Sequence, residues 1–323
     1  YGALTVGLEG KELAEIGLLA EAGAVAFTDA DHPVGNAQVM RRALYYCKAF
    51  DALIVHLPQE PTLSGGHMTS GEMATRLGLS GNPPLAEVMM VERDIRLVEM
   101  TGGRLHLTHL STAGSIDLVR RAKAEGAPIT CDVTPHHLAM TDDWVAGSRA
   151  FAWEVPDEAL QGVPYDSSTK VNPPLRDHAA VRALWAGLAD GTVDAIATDH
   201  APHASVKKDV EFDQAAFGIS GLETAVALVL GGVRVHWAPL ETVIAAFTIG
   251  PARVLGIELP DDDWIAIDRD AEWLVTAEEL VSKGKNTPLL GRTVMGRVVH
   301  VSMAREAKLG ERREGNAEAV GRR

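Results

Sequence analysis

The sequence predicts an α/β protein in which βα units repeat around a parallel sheet. Short β-branched or apolar runs alternate with longer helical stretches along most of the chain. The ends of those short runs carry Asp and His rather than turn residues alone. The 323 residues are 46% hydrophobic and 23% charged, which suits a large folded core and excludes wholesale disorder.

Strands are expected at 24–28, 52–56, 104–108, 128–133 and 193–198, because each is a short apolar run bounded by polar or Gly/Pro positions. Helices are expected at 10–22, 37–50, 85–101, 114–125, 178–189, 221–230 and 240–248, the last stopped by Gly250-Pro251. Residues 141–176, rich in Pro, Asp and Ser, show no sustained period and read as an extended loop over a site. From Trp264 the pattern changes to Trp264-Ile-Ala-Ile, Glu272-Trp-Leu-Val-Thr and Arg297-Val-Val-His-Val, which suggests a small β appendage. The division is therefore 1–252 for the βα part, 253–304 for the appendage and 305–323 for a charged, disordered tail. Tyr1-Gly-Ala-Leu-Thr has neither a Met nor a leader pattern, so a preceding part is expected.

A formal charge of -14 repels phosphate backbones and anionic headgroups, which argues against nucleic acid and membrane surfaces as partners. No apolar run approaches the roughly 20 residues that span a bilayer. Only Cys47 and Cys131 are present, in no paired motif, which fits a reducing, cytoplasmic setting.

The expected strands end in Asp29, His56, His109, His136-His137 and Asp199-His200. In a parallel βα array this edge is where a site is built, because every strand delivers its last residue and following loop to one face. Imidazole nitrogen and carboxylate oxygen suit a divalent ion such as zinc, and the lack of thiolates points to a catalytic, water-bearing ion rather than a closed structural one. Such an ion makes a hydroxide for attack on a carbonyl or phosphoryl centre, with a carboxylate to relay its proton. Ser111 and Thr112 sit in no nucleophile-elbow motif and are read as caps of the following helix.

Several segments together resemble the type I dihydroorotases of the amidohydrolase superfamily. They are Gly23-Ala-Val-Ala-Phe-Thr-Asp29, His106-Leu-Thr-His-Leu-Ser-Thr112, Cys131-Asp-Val-Thr-Pro-His-His-Leu138, Lys170-Val-Asn-Pro-Pro-Leu-Arg176, Ala195-Ile-Ala-Thr-Asp-His-Ala-Pro-His203, Phe217-Gly-Ile-Ser-Gly-Leu-Glu-Thr224 and Lys285-Asn-Thr-Pro. The resemblance implies a (β/α)8 TIM-like barrel, here incomplete, with a small C-terminal β-sandwich part and a binuclear zinc site. It implies reversible hydrolysis of dihydroorotate to N-carbamoyl aspartate in pyrimidine biosynthesis. Carried over motif by motif, His109 and His136 would bind one metal, Asp29 would bridge the two, and Asp199 would ligate the other and shuttle the proton. Asn172 and His203 would hold the ring and its carboxylate, and the backbone from Gly218 to Gly221 would close on the ring amide. Asp31 is the alternative to Asp29 as bridge, and His137 is read as support for His136.

Departures from the pattern set further expectations. None of the twelve histidines forms His-x-His, and His56 is followed by Leu57-Pro58-Gln59 instead of an acidic pair, so His56 is read as supporting. The chain reads as a dihydroorotase without its N-terminal third, impaired by loss of the His-x-His strand and holding at most one metal tightly. Hydantoinase and allantoinase bridge their metals with a carboxylated lysine, and no Lys occurs between 24 and 31. A non-catalytic scaffold for aspartate transcarbamoylase is the remaining alternative. Expected partners are the small-molecule substrate and either a second copy of the chain or that transcarbamoylase.

Overall fold

The computed structural model describes residues 1–260 and 262–302. Six parallel strands form one sheet in the order Gly2–Ala3, Ala26–Thr28, Leu53–His56, Arg104–Leu107, Ile129–Val133, Ala195–Ile196. Each strand lies beside the one preceding it in that order, so the winding never reverses. Right-handed crossovers then place the intervening helices on one side, which is how a barrel wall is built and not a doubly wound sheet. Parallel register runs from Ala26 opposite Leu53, through Leu53 opposite Arg104 and Leu105 opposite Ile129, to Asp132 opposite Ala195.

All five expected strands are present within a few residues, and Gly2–Ala3 is an addition that two small residues could not announce. It pairs with Ala26–Thr28, Gly2 lying opposite Phe27. The helix expected at 10–22 begins only at Ile16. Gly7 and Gly10 take left-handed φ of +64° and +66°, and the chain turns back so that Val6 N–H donates to Glu12 O at 2.8 Å and Ala14 N–H to Leu4 O at 3.0 Å.

Local chemistry sets the other helix starts. Asn36 Oδ1 accepts from Gln38 N–H at 2.9 Å, Thr112 Oγ1 from Ser115 N–H at 3.3 Å and Asp177 Oδ1 from Ala180 N–H at 2.8 Å, opening Ala37–Lys48, Ala113–Ala124 and His178–Ala189. Thr112 is thus the cap that the sequence indicated. The helix expected at 221–230 runs instead over Ala225–Arg234. Gly250-Pro251 is not a terminal stop: Leu240–Phe247 ends at Thr248, and a further helix, Ile249–Leu255, carries Pro251 in its first turn. There a missing N–H leaves no intrahelical acceptor unpaired.

The main core lies between sheet and helices, with Phe27, Ile54, Leu105 and Val133 facing Met40, Val98, Ile116 and Trp185, all essentially buried. A second core joins the 141–176 loop to the C-terminal segment through Trp144, Phe151, Val275, Leu289 and Val294. Trp144 anchors that loop, its Nε1–H donating to Ala150 O at 2.7 Å while its ring stacks on Phe151 at 5.6 Å. Trp264–Leu274 and Thr293–Ser302 form the antiparallel hairpin of the appendage. The helix Ile249–Leu255 spans position 252, and its Val254 packs on Ala26, Leu53 and Val55 of the sheet. The expected tail at 305–323 lies outside the described residues. Among the described residues no helix is long and apolar enough to cross a membrane.

Candidate active site

The residues just beyond three parallel strands, Ala30, His109 and Asp199, all take left-handed φ, at 55°, 59° and 47°. Side chains other than Gly adopt this region at a cost, and such strain concentrates where the surrounding structure holds a functional group in place. A cavity of about 530 Å³ opens at this rim, lined among others by Asp31, His109, Asp132, Asn172 and Asp199.

Asp132, on the strand Ile129–Val133, organises the cavity floor. Its Oδ1 accepts from the His109 backbone N–H at 2.7 Å and faces His109 Nδ1 at 3.1 Å. Its Oδ2 accepts from Thr108 Oγ1 at 2.7 Å and from His106 Nε2 at 2.9 Å. Burial by itself would push this carboxyl up, but His109 and His106 outweigh it and hold it well below the ordinary carboxylate range. Burial likewise lowers the His109 imidazole, yet the charge and hydrogen bond of Asp132, with the charge of Asp199, carry it up to about 9. His109 Nε2 then faces Asp199 Oδ1 at 3.7 Å. Burial raises the Asp199 carboxyl, His109 pulls it down, and Asp132 and Asp31 push it up again, for a net upward shift.

The structure brings His109, Asp199 and Asn172 to one cavity. Asn172 Oδ1 accepts from Gln59 Nε2 at 3.0 Å. Asp29 is turned away: its Oδ1 and Oδ2 accept from Thr5 N–H at 2.8 Å and Thr5 Oγ1 at 2.5 Å, and Asp31 takes the place on the cavity wall. His136 and His137 do not continue an extended strand. They sit in the short helix Pro135–Ala139 with rings 4.6 Å apart, because Thr134 Oγ1 caps it by accepting from His137 N–H. His137 Nε2–H donates to Pro173 O at 2.9 Å, next to Asn172, and burial holds the ring neutral with its pKa down to about 3. His136 lies outside the cavity lining, and its Nε2 is buried without a hydrogen-bond partner.

His203, Gly218 and Gly221 stand apart from that lining. His203 Nε2–H donates to Phe217 O at 2.8 Å, and Gly218, at φ +126°, has no room for a Cβ, which would lie 2.5 Å from Ala201 Cβ. His56 is fully engaged by Asp94 Oδ2 at 2.7 Å and Val34 N–H at 2.9 Å, a supporting position. The residue that sequence reasoning missed is Asp132. Its signal was present, since it stands two residues before Thr134-Pro135 on an expected strand, but an Asp within a strand does not announce which histidines it will meet.

The donor types suit zinc, and the Asp132–His109–Asp199 line has the carboxylate-backed imidazole usual for a metal ligand. Among the described residues, however, no three His, Cys, Asp or Glu side chains converge to enclose an ion. His109 Nε2 and Asp199 Oδ1, 3.7 Å apart at the cavity, are the imidazole and carboxylate whose chemistry fits such an ion.

A family model described as "Dihydro-orotase-like" matches residues 1–115. The chain is 48% identical over 306 residues to the dihydroorotase of Anaeromyxobacter sp. (strain K), covering 93% of this chain and 67% of that protein. It is 48% identical over 307 residues to the dihydroorotase of Pelotomaculum thermopropionicum, covering 91% and 67%. Among solved structures, L-hydantoinase from Arthrobacter aurescens matches with a TM-score of 0.76 at 24% identity, over 93% of this chain and 67% of that one. Dihydropyrimidinase from Brevibacillus agri matches with a TM-score of 0.70 at 18% identity, over 88% and 63%. These structural likenesses speak to the barrel fold, whereas identity near one half over nine-tenths of the sequence speaks to descent: the chain belongs to the dihydroorotase family of cyclic amidohydrolases.

Proposed function

We propose that the cavity at Asp31, His109, Asn172 and Asp199 serves the reversible hydrolysis of dihydroorotate to N-carbamoyl aspartate in pyrimidine biosynthesis. The observation that carries this reading is the His109–Asp199 pair, 3.7 Å apart and sharing one cavity with Asn172, in a chain of this family. The upward-shifted carboxyl of Asp199 is suited to holding a proton and passing it to the ring nitrogen as the ring C–N bond breaks. The Gln59 bond fixes the Asn172 carboxamide by its oxygen, which leaves its NH₂ to donate to a substrate oxygen. His203 and the backbone at Gly218 and Gly221 are assigned to the substrate carboxylate and ring amide from the adjoining loop.

A zinc-type ion held by His109 Nε2 and Asp199 would supply an acidified water and polarise the amide oxygen. Asp29, or Asp31 on the cavity wall, would add a carboxylate to that ion, and His136, whose buried Nε2 has no hydrogen-bond partner, a second imidazole. With this donor set the chain holds at most one ion tightly, so turnover by these residues alone is low. Zinc titration with chelator competition is expected to show no more than one tight ion per chain, weakened by His109→Ala. Calorimetry should show dihydroorotate bound in preference to hydantoin and allantoin, and residual ring opening should vanish in Asp199→Asn. Two tight ions, a preference for hydantoin, or hydrolysis indifferent to Asp199→Asn would each defeat the reading. The second reading is a scaffold role, in which aspartate transcarbamoylase co-purifies with the chain and zinc restores no activity. The two unpaired, buried cysteines support a cytoplasmic location.

A further inference from the structure

Away from the His109 cavity, a second one of about 410 Å³ opens between the short helix Ser205–Lys208 and the turn at 283–286. Its charge is opposite to that of the molecule. Lys208, Lys283 and Lys285 line it, beside His203, against a single carboxylate, Asp209, in a chain whose formal charge is -14.

Lys208 is only 6% exposed, and Lys170 beside it only 2%. Their ammonium groups spend their hydrogen bonds on backbone carbonyls: Lys208 Nζ on Ala216 O at 2.7 Å and Lys170 O at 3.5 Å, Lys170 Nζ on Asp213 O at 2.8 Å. Lys285 Nζ likewise donates to Leu280 O. A buried cation without a paired anion is costly, and two close together repel as well. Burial, and then the charge of Lys170, pull the Lys208 ammonium down to about 8, against a smaller upward pull from Asp166. An ammonium has three donors, and Lys208 uses two on carbonyls. The Ser168 and Ser205 side chains on the same wall add hydroxyl donors.

We propose that this cavity binds a phosphate group, with Lys208 as its buried counter-charge, Ser168 and Ser205 as hydroxyl donors, and Lys283 and Lys285 at its mouth. A tetrahedral oxyanion of charge near −2 meets both the number of donors and the excess of positive charge better than a carboxylate does. The volume falls in the range of small-ligand sites, about 300–1,000 Å³, so the phosphate can arrive free or as a sugar or nucleoside monophosphate.

The test is calorimetric titration of the whole chain, at constant ionic strength in chloride, with inorganic phosphate, ribose 5-phosphate, and adenosine and uridine 5′-monophosphates. Saturable binding of one phosphate-bearing ligand per chain is expected, weakened about tenfold by Lys283→Ala and abolished by Lys208→Met. Circular dichroism establishes that each variant is folded. Should Lys208→Met fail to fold, Lys283→Ala combined with Lys285→Ala carries the test, and binding unchanged in that pair overturns the proposal. Tighter binding of an ester than of inorganic phosphate identifies an ester as the source, and equal binding identifies free phosphate. Because His203 forms part of this wall, dihydroorotate is added as a competitor. Displacement of phosphate by dihydroorotate makes the cavity part of the substrate site and overturns the proposal, as does the absence of saturable binding by all four ligands up to millimolar concentration.

Discussion

Asp132 Oδ1 grips His109 at two points, the backbone N–H at 2.7 Å and the ring Nδ1 at 3.1 Å. One carboxylate oxygen thus sets both the left-handed backbone of His109 and the ring face it turns to Asp199. The same atom links the strand interior to the rim where the chemistry is expected.

Asp132→Asn keeps the size of the side chain and removes its charge. Zinc affinity should fall roughly 10–100-fold, the usual cost of losing the partner that orients a metal-binding imidazole. Stability should drop by about 3 kcal/mol, since His106 and His109 lose a buried counter-charge. Chelator competition reads the first effect and urea unfolding the second. A loss of stability with unchanged zinc affinity would separate Asp132 from the site.

Glu87 ties the helix Pro84–Thr101 to the loop that follows His109. Nearly inaccessible, it accepts from Thr112 N–H at 3.0 Å, Thr112 Oγ1 at 2.8 Å and Ser111 Oγ at 2.5 Å. Arg176 Nε in turn donates to Ser111 Oγ at 3.0 Å. Glu87→Gln faces an NH₂ toward donors, so a loss of about 2–4 kcal/mol is expected from urea unfolding. A loss below about 0.5 kcal/mol, the range of ordinary surface changes, would show that the network is dispensable.

Half-buried Asp142 has its carboxyl pushed up to about 6, by burial first and then by Asp143 and Asp177. A folded-state pKa above the unfolded one means that the native state holds this proton more tightly. Stability from this group is therefore lost as pH rises from about 4 through about 6. Asp142→Asn should match the parent at low pH and exceed it at neutral pH by on the order of 1 kcal/mol after solvent screening. Thermal unfolding across that pH range checks the sign. A variant equally or less stable at neutral pH would contradict it.

Cys47 and Cys131 are free and fully buried, and burial pushes the Cys47 thiol up to about 12 and that of Cys131 higher still. Thiolates are the reactive form, so neither should be labelled by a thiol reagent at mildly alkaline pH until the chain unfolds. Labelling of both in urea and of neither in buffer is the expected outcome. Rapid labelling in buffer would mean that the core around Ala37–Lys48 or Ile129–Val133 opens readily.

Apolar runs bounded by polar punctuation made five of the six parallel strands and the capped helices legible, because backbone period and capping chemistry are local properties. Gly2–Ala3 was not legible, since two small residues show no period and become a strand only when Ala26–Thr28 offers its edge. Nor was the helix restart at Ile249, where packing of Val254 on the sheet outweighs the Gly-Pro punctuation.

For the site, the sequence alone determined which chemistry stands at the rim, because each strand end lists its own His or Asp. Only the tertiary structure decided which of these groups meet. Thr5 claims Asp29, Asp94 claims His56, a helical turn redirects His136, and Asp132 steers His109 toward Asp199. A buried polar group takes the partner that folding brings within about 3 Å, and residues far apart along the chain reveal that partner only when the strands lie side by side.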